Sequence, residues 1–204
     1  MKPIVFYFAG VGDDTITAVE EAHCRWAAAR CVAVGGWLYS GNCCGADVAF
    51  QRGARERSTA WLPWAGFGYE GVEGYDATRY CGEAVVAGDD PAGRALLALH
   101  PQAKIIPRGG RARAAHTLFA PKAAQLLTRD ACQVIGDDTH PQVEVVICCA
   151  TPQGPAPHVR GGTGQAVRVA VKRSIPVVNI RLPGWEEELD YGLAGYAAPI
   201  PPAR

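Results

Sequence analysis

Apolar residues in this chain come in short bursts, and the spacing within the bursts switches between two periods. Residues 3 to 9, PIVFYFA, are continuously apolar, the pattern of a parallel strand buried on both faces. GVGDD follows, and from Thr15 to about Arg30 the apolar positions recur at helical spacing. Residues 32 to 40, VAVGGWLYS, read as a second strand that Gly35 and Gly36 weaken. A helix is expected from about Cys44 to Arg57, where Ala46, Ala49, Phe50, Gly53 and Ala54 fall at i, i+3, i+4, i+7 and i+8. So small a face lets a helix lie close on a sheet. TAWL, 59 to 62, suggests a short third strand.

Between about 64 and 140 the pattern loosens. WAGFGYEGVEGYD is rich in turns, and alanine-rich helical pieces follow, clearest at 91 to 99 and 113 to 128, with Pro107, Gly109 and Gly110 between them. Alternation returns with a strand at 142 to 149, QVEVVICC. The proline-rich ATPQGPAPHVR leads to GGTG and a helix from about Gly164 to Arg173, with Ala166, Val167, Ala170 and Val171 on one face. IPVVNI, 175 to 180, is the last strand, and the prolines of the tail from about 191 to 204 argue against a regular element there. Strand–helix alternation at both ends implies an α/β fold, a parallel sheet covered by helices on both faces. The expectation is one Rossmann-like domain over 1–204, with a helical, glycine-rich insertion at about 64–140 between the third and fourth strands. Right-handed crossovers bring its strand-to-helix loops to one edge of the sheet.

Composition narrows the chemistry. A chain of 204 residues that is 49% hydrophobic suits a single well-buried domain. Twenty Lys and Arg balance twenty Asp and Glu, so no global field recruits nucleic acid or an anionic membrane, and charge arguments must be local. No apolar run reaches the ~18 residues of a membrane span. Eight cysteines do not read as a disulfide framework. The N-terminal stretch lacks a signal-peptide pattern, a chain of this size needs no staples, and VEVVICC places thiols in an apolar run, where they act as small hydrophobes. A reducing, cytoplasmic setting is expected. There is no C-x-x-C pair, and the adjacent Cys43–Cys44 and Cys148–Cys149 do not converge on one ion. Neither a metal site nor a resident cofactor is expected.

Two strand–loop–helix junctions share one design. SGNCCGAD, 40 to 47, and RGGTGQA, 160 to 166, both put glycines immediately before a helix. Glycine allows close approach to a ligand, and the helix adds free N–H groups and the positive end of its dipole, a combination suited to phosphate. Neither loop is G-x-G-x-x-G or contains GK[ST]. The expected ligand cradle comprises Gly10, Gly12, Ser40, Gly41, Asn42, Gly45 and Asp47 from the first half of the chain. Arg160, Gly161, Gly162, Thr163 and Gly164 complete it, with the Arg160 guanidinium as a fork of donors. Asp13 and Asp14 end the first strand loop, where a carboxylate can hold a ribose hydroxyl or act as a general base. Cys43 is a nucleophile candidate if the helix terminus lowers its pKa. His116 and His158 are candidates for proton transfer, and Trp61, Trp64, Tyr69 and Tyr75 for stacking a base. Residues 91 to 129 hold seven cations (Arg94, Lys104, Arg108, Arg111, Arg113, Lys122 and Arg129) and no acid, a stretch suited to the phosphates of a nucleic acid or of a bound nucleotide.

SGNCCGAD with its A-F-x-x-G-A helix resembles the S-G-G-x-x-G-A-D segment of the SLOG superfamily. GGTGQAVRVAVKRSIPVVNI resembles the later glycine loop, helix and strand of that superfamily, which includes the DNA-processing protein A (DprA, Smf) group and the LOG-type nucleotide phosphoribohydrolases. The layout from Gln133 to Ala166 is similar to small DprA-like proteins of bacteriophages, which implies a host cytoplasm. The resemblance implies a nucleotide-derived ligand and association into a homo-oligomer. For the DprA branch it implies single-stranded DNA binding, through Arg108, Arg111, Arg113, Lys122 and Arg129. For the LOG branch it implies a nucleotide N-glycosidase, with Asp13 or Asp14 as the acting carboxylate. The chain departs from the pattern at four places. Cys44 stands where relatives often place arginine, Asn42 replaces the second glycine, AGVGDD carries acids where the first loop often has G-S/T-R, and RGGTGQAVR lacks the glutamate of the LOG motif.

Overall fold

The computed structural model describes residues 5–67, 81–100, 107–108, 111–112 and 121–196. Its chain runs β1 (Tyr7–Gly12), α1 (Ala18–Ala33), β2 (Trp37–Ser40), α2 (Ala46–Ala54), β3 (Ser58–Leu62), β4 (Glu83–Val86), α3 (Pro91–Ala95) and a 3-10 turn at Leu96–Leu99. It continues through β5 (Pro107–Arg108), β6 (Arg111–Ala112), α4 (Pro121–Ile135), β7 (Val145–Cys149), α5 (Thr163–Lys172), β8 (Val177–Asn179) and α6 (Trp185–Leu193). Six strands form one sheet in the order β4-β3-β2-β1-β7-β8, and every pairing within it is parallel. β5 and β6 form a separate two-residue antiparallel pair. This is the expected α/β, Rossmann-like architecture. No helix among the described residues is long and apolar enough to cross a membrane.

Period-two alternation explains why the strands read as continuously apolar. Phe6, Phe8, Ile147 and Cys149 pack into one core layer with α1, α2 and α6, while Ala9, Val11, Val146 and Cys148 pack into the opposite layer with α4 and α5. The adjacent cysteines of β7 thus face opposite sides of the sheet. All eight cysteines are free thiols, five of them buried.

Boundaries differ from the expected ones for identifiable reasons. β1 extends through Gly12, so Gly10 and Gly12 belong to the strand rather than to a loop. The first helix begins at Ala18 because Thr17 caps it: its side chain accepts from the Glu20 amide, and the Glu20 carboxylate accepts from Thr17. That helix runs to Ala33 and takes residues expected in the second strand. The small face of α2 is buried as expected, and Gly53 lets it touch α1, since a Cβ there would lie 2.3 Å from the Arg25 carbonyl oxygen. β4 lies inside the supposed insertion. Its EAVV is mostly exposed and carries no alternating burial to announce it. α4 runs seven residues past the expected end at 128. α6 extends into the supposed irregular tail, held by buried Trp185, Leu189 and Leu193 at i, i+4 and i+8.

Edge strand β4 is tied to the turn after α4 by His140. Its ring nitrogens lie 3.0 Å from a Glu83 oxygen and 2.9 Å from an Asp137 oxygen, and the ring meets Tyr39 and Trp61 edge-on. Burial alone would lower the His140 pKa, but the hydrogen bonds to Glu83 and Asp137 outweigh it and raise it. A raised folded-state pKa stabilises fully below the unfolded value, near 6.5, and the benefit is lost as pH rises through the folded value. His140→Gln is therefore expected to cost about 1 kcal/mol at pH 5.5, a modest figure because Glu83 is half exposed. In urea unfolding the gap should close as the pH is raised through the folded-state value. A gap independent of pH would rule out the imidazolium bridge.

Candidate functional site

The carboxyl ends of β1, β2 and β7 open onto a pocket of about 300 Å³ that α4 closes from above. Three connections meet there. Gly12, Asp13 and Asp14 follow β1, Cys43 and Asp47 belong to the junction after β2, and Gly161, Gly162 and Thr163 begin α5. Arg129, Asp130 and Gln133 reach in from α4.

The first glycine junction is filled by the protein itself. A Cβ on Gly45 would lie 2.4 Å from the Asp13 carbonyl oxygen, and one on Gly41 would lie 1.5 Å from Arg129 Nη1. The Cys43 amide donates to the Asp47 carboxylate (3.1 Å), and the Ala46 amide donates to the Asp13 carbonyl (3.1 Å). Ser40 donates to the Asp47 carbonyl, and Asn42 donates to the Phe67 carbonyl. Gly10 is a packing residue, where a Cβ would lie 2.6 Å from the Phe50 ring. Gly12 lines the pocket, although its close neighbours are Ala46 and the Cys149 carbonyl. These glycines let the strand ends and α2 approach each other, and the Ala46 amide at the start of α2 is taken up by the Asp13 carbonyl.

The second junction is open. The amides of Gly161, Gly162 and Thr163 donate to no acceptor among the described residues, and nothing lies within 4 Å of a Cβ built on Gly161. Gly164 is the exception, buried against the Val159 carbonyl. Arg160 is exposed and lies outside the pocket lining, its amide bonded to the Thr151 carbonyl. His158 is also exposed.

Arg129 is the correction with the largest consequence. Expected on a solvent-facing basic stretch, it is 3% exposed and stands over Gly41 between two carboxylates. Its Nε lies 3.1 Å from Asp130 Oδ1 and its Nη1 3.8 Å from Asp47 Oδ2. Neither contact has hydrogen-bond geometry, so both N–H groups are buried without an acceptor among the described residues. Nη2 donates to Cys43 Sγ at 3.4 Å. Gln133, one turn along α4, also presents a buried Nε2 with no acceptor. Two carboxylates thus share one guanidinium. Burial pushes Asp47 up to about 7 and Asp130 up to about 6, against the pull of Arg129. Burial also pushes the Cys43 thiol up to about 12 despite Arg129, so at neutral pH it is not an activated nucleophile.

Asp13 is ion-paired with Arg181 and accepts from the Thr151 amide and hydroxyl. Asp14 is exposed, and its carboxylate has no partner among the described residues. Of the other cations, Arg94 pairs with Asp89 and Lys122 lies 5.2 Å over the Trp64 ring. Lys104, Arg113, His116, Tyr69 and Tyr75 lie outside the described residues, as do the side chains of Arg108 and Arg111. Trp61 is a core residue. The pocket roles of Arg129, Asp130 and Gln133 were missed, although a signal exists: with Leu126 they fall at i, i+3, i+4 and i+7. A helix expected to stop at 128 hides that stripe.

No family model matches the chain, and no curated protein is similar to it. Among solved structures it is similar to DNA processing protein A from Helicobacter pylori, a structure concerned with that protein's single-stranded DNA binding mode. Identity is 14% over 95% of this chain and 74% of that one, at a TM-score of 0.48. The functional reading therefore rests on the site.

Proposed function

We propose that the pocket binds a nucleotide-type phosphorylated small molecule, in a chain of SLOG type. Its phosphate would rest on the free amides of Gly161, Gly162 and Thr163 at the start of α5. Other acceptors of the ligand would meet Arg129 and Gln133. The observation that supports this best is the donor surplus in one cavity: Arg129 Nε, Arg129 Nη1 and Gln133 Nε2 are buried without acceptors. Leaving such donors unmet costs about 1–3 kcal/mol each, so an acceptor-rich ligand has much to offer there. About 300 Å³ is at the small end for ligand pockets and suits a mononucleotide better than a dinucleotide. The exposed Asp14 carboxylate, without a partner among the described residues, would accept from a sugar hydroxyl. That the phosphate belongs to a nucleotide rests on the sequence resemblance.

Gly162→Asp tests the reading. Gly162 has ordinary helical angles (φ −61°, ψ −42°), so the backbone accepts a side chain there, although its Cβ would press on Asp130 Oδ2 at 3.2 Å, and the new carboxylate would occupy the phosphate position. Wild-type protein should melt several degrees higher with millimolar nucleoside monophosphate, and the variant, shown by circular dichroism to be folded, should show no shift. If no common monophosphate shifts the wild type, the reading fails.

A further inference from the structure

The anion position proposed above already has an occupant. Asp130 Oδ2 lies 3.2 Å from where a Gly162 Cβ would stand, and Asp130 Oδ1 lies 3.1 Å from Arg129 Nε. The carboxylate therefore sits between the open amide loop and the guanidinium, 8% exposed and lining the cavity. We propose that Asp130 sets the charge class of the ligand: a dianionic phosphate enters this site together with a proton that neutralises the Asp130 carboxylate. This rests on the nucleotide reading and deepens it.

The surroundings favour that proton. Facing Asp130 are Arg129 on its own helix, Arg168 from α5, and Asp14 from the β1 loop, with Asp47 and Cys43 beyond Arg129. Arg168 has buried Nε and Nη2 groups without acceptors, so it adds positive potential without a fixed hydrogen bond. Against these two cations stand three carboxylates. A dianion added to five such charges makes a strongly negative cluster in a low-dielectric pocket, where like charges close together cannot all persist. Asp130 is the carboxylate nearest the incoming charge. Protonation also turns it from a competitor into an O–H donor. The proton comes from solvent and stays on the carboxyl oxygen while the ligand is bound. Asp47 also takes up a proton in this range, but it stands beyond Arg129 and its carboxylate holds the Cys43 amide, so its proton does not clear the anion position.

Inorganic sulfate is the clean probe, because it remains a dianion across the range and does not itself titrate. Sulfate binding to the intact protein should tighten about tenfold or more between pH 8 and pH 6, since only the protonated fraction is competent. Asp130→Asn should bind at pH 8 more tightly than wild type does at that pH, with a shallower pH dependence whose remainder comes from Asp47. A flat wild-type profile overturns the inference, and so does an Asn variant that binds more weakly than wild type at pH 8. The wild-type profile decides even if the variant does not fold. Adenosine 5′-monophosphate at pH 6 separates the two claims. If it binds while sulfate affinity ignores pH, only the proton coupling falls; if neither binds, the nucleotide reading falls with it.

Discussion

Gly45→Ala should lower stability by about 3–5 kcal/mol, combining backbone strain with overpacking. Gly45 sits at φ +71° and ψ −122°, a region open to glycine and strained for any L side chain. The space is closed as well: a Cβ would lie 2.4 Å from the Asp13 carbonyl oxygen and 2.5 Å from the Asp14 carbonyl carbon and oxygen. Backbone cannot swing aside as a flexible side chain can. Relief would require parting the β1 loop from the start of α2, which breaks the hydrogen bond from the Ala46 amide to the Asp13 carbonyl. Gly161→Ala is the control, with a similar φ of +70° but nothing within 4 Å. It should cost only about 1–2 kcal/mol, the strain of the left-handed region alone. Urea titrations with unchanged m-values would measure both. Equal losses at the two positions would remove the steric argument and leave only backbone preference.

The contrast between these glycines marks how far the sequence could be read. Continuous apolar runs at β1 and β7 reported burial on both faces, and that placed the parallel sheet and put both glycine junctions on one edge. The resemblance of the junctions did not say which was open. Glycine permits a close approach without naming what approaches: at Gly41 it is Arg129, at Gly45 the β1 loop, and at Gly161 open space. β4 stayed hidden because four residues at an exposed edge carry neither length nor alternation. Cys44 leaves the first junction without the arginine that relatives often carry, and Arg160, beside the second loop, is the cation that the sequence pattern offers to the cradle. The guanidinium that stands at this junction is that of Arg129, eighty-six residues beyond Cys43, a distance only the packing of α4 on the sheet edge can close. The acid beside it, Asp130, was equally unreadable. Its significance lies in facing Gly162 across the pocket, a relation local pattern does not encode.

The same cluster makes the second large effect. Arg129→Met should destabilise the protein by about 3–5 kcal/mol at pH 8, because it removes the shared counter-charge of two buried carboxylates. The loss should shrink as the pH falls. In the wild type Asp47 and Asp130 already have folded-state values of about 7 and about 6, raised by burial despite Arg129. The unfolded chain binds fewer protons than the folded one between about pH 4 and those values, so these groups make stability fall as pH rises through that window. Without the guanidinium both carboxylates rise further, and the window extends upward. At pH 5 they are mostly protonated in the folded variant, and a neutral pair with a methionine beside it is far less costly. The difference in unfolding free energy between wild type and Arg129→Met should therefore be largest at pH 8 and small at pH 5. A difference that does not change with pH would mean that Arg129 contributes packing against Phe67 rather than charge, its guanidinium lying 5.5 Å from that ring. Asp47→Asn separates the two further, since it leaves one acid per guanidinium while the amide oxygen can still accept from the Cys43 amide. It should raise the wild-type melting temperature at pH 8 and lessen the Arg129→Met penalty. A fold optimised for stability alone would not bury two carboxylates on one arginine, and such a local conflict is expected where a site serves something other than stability.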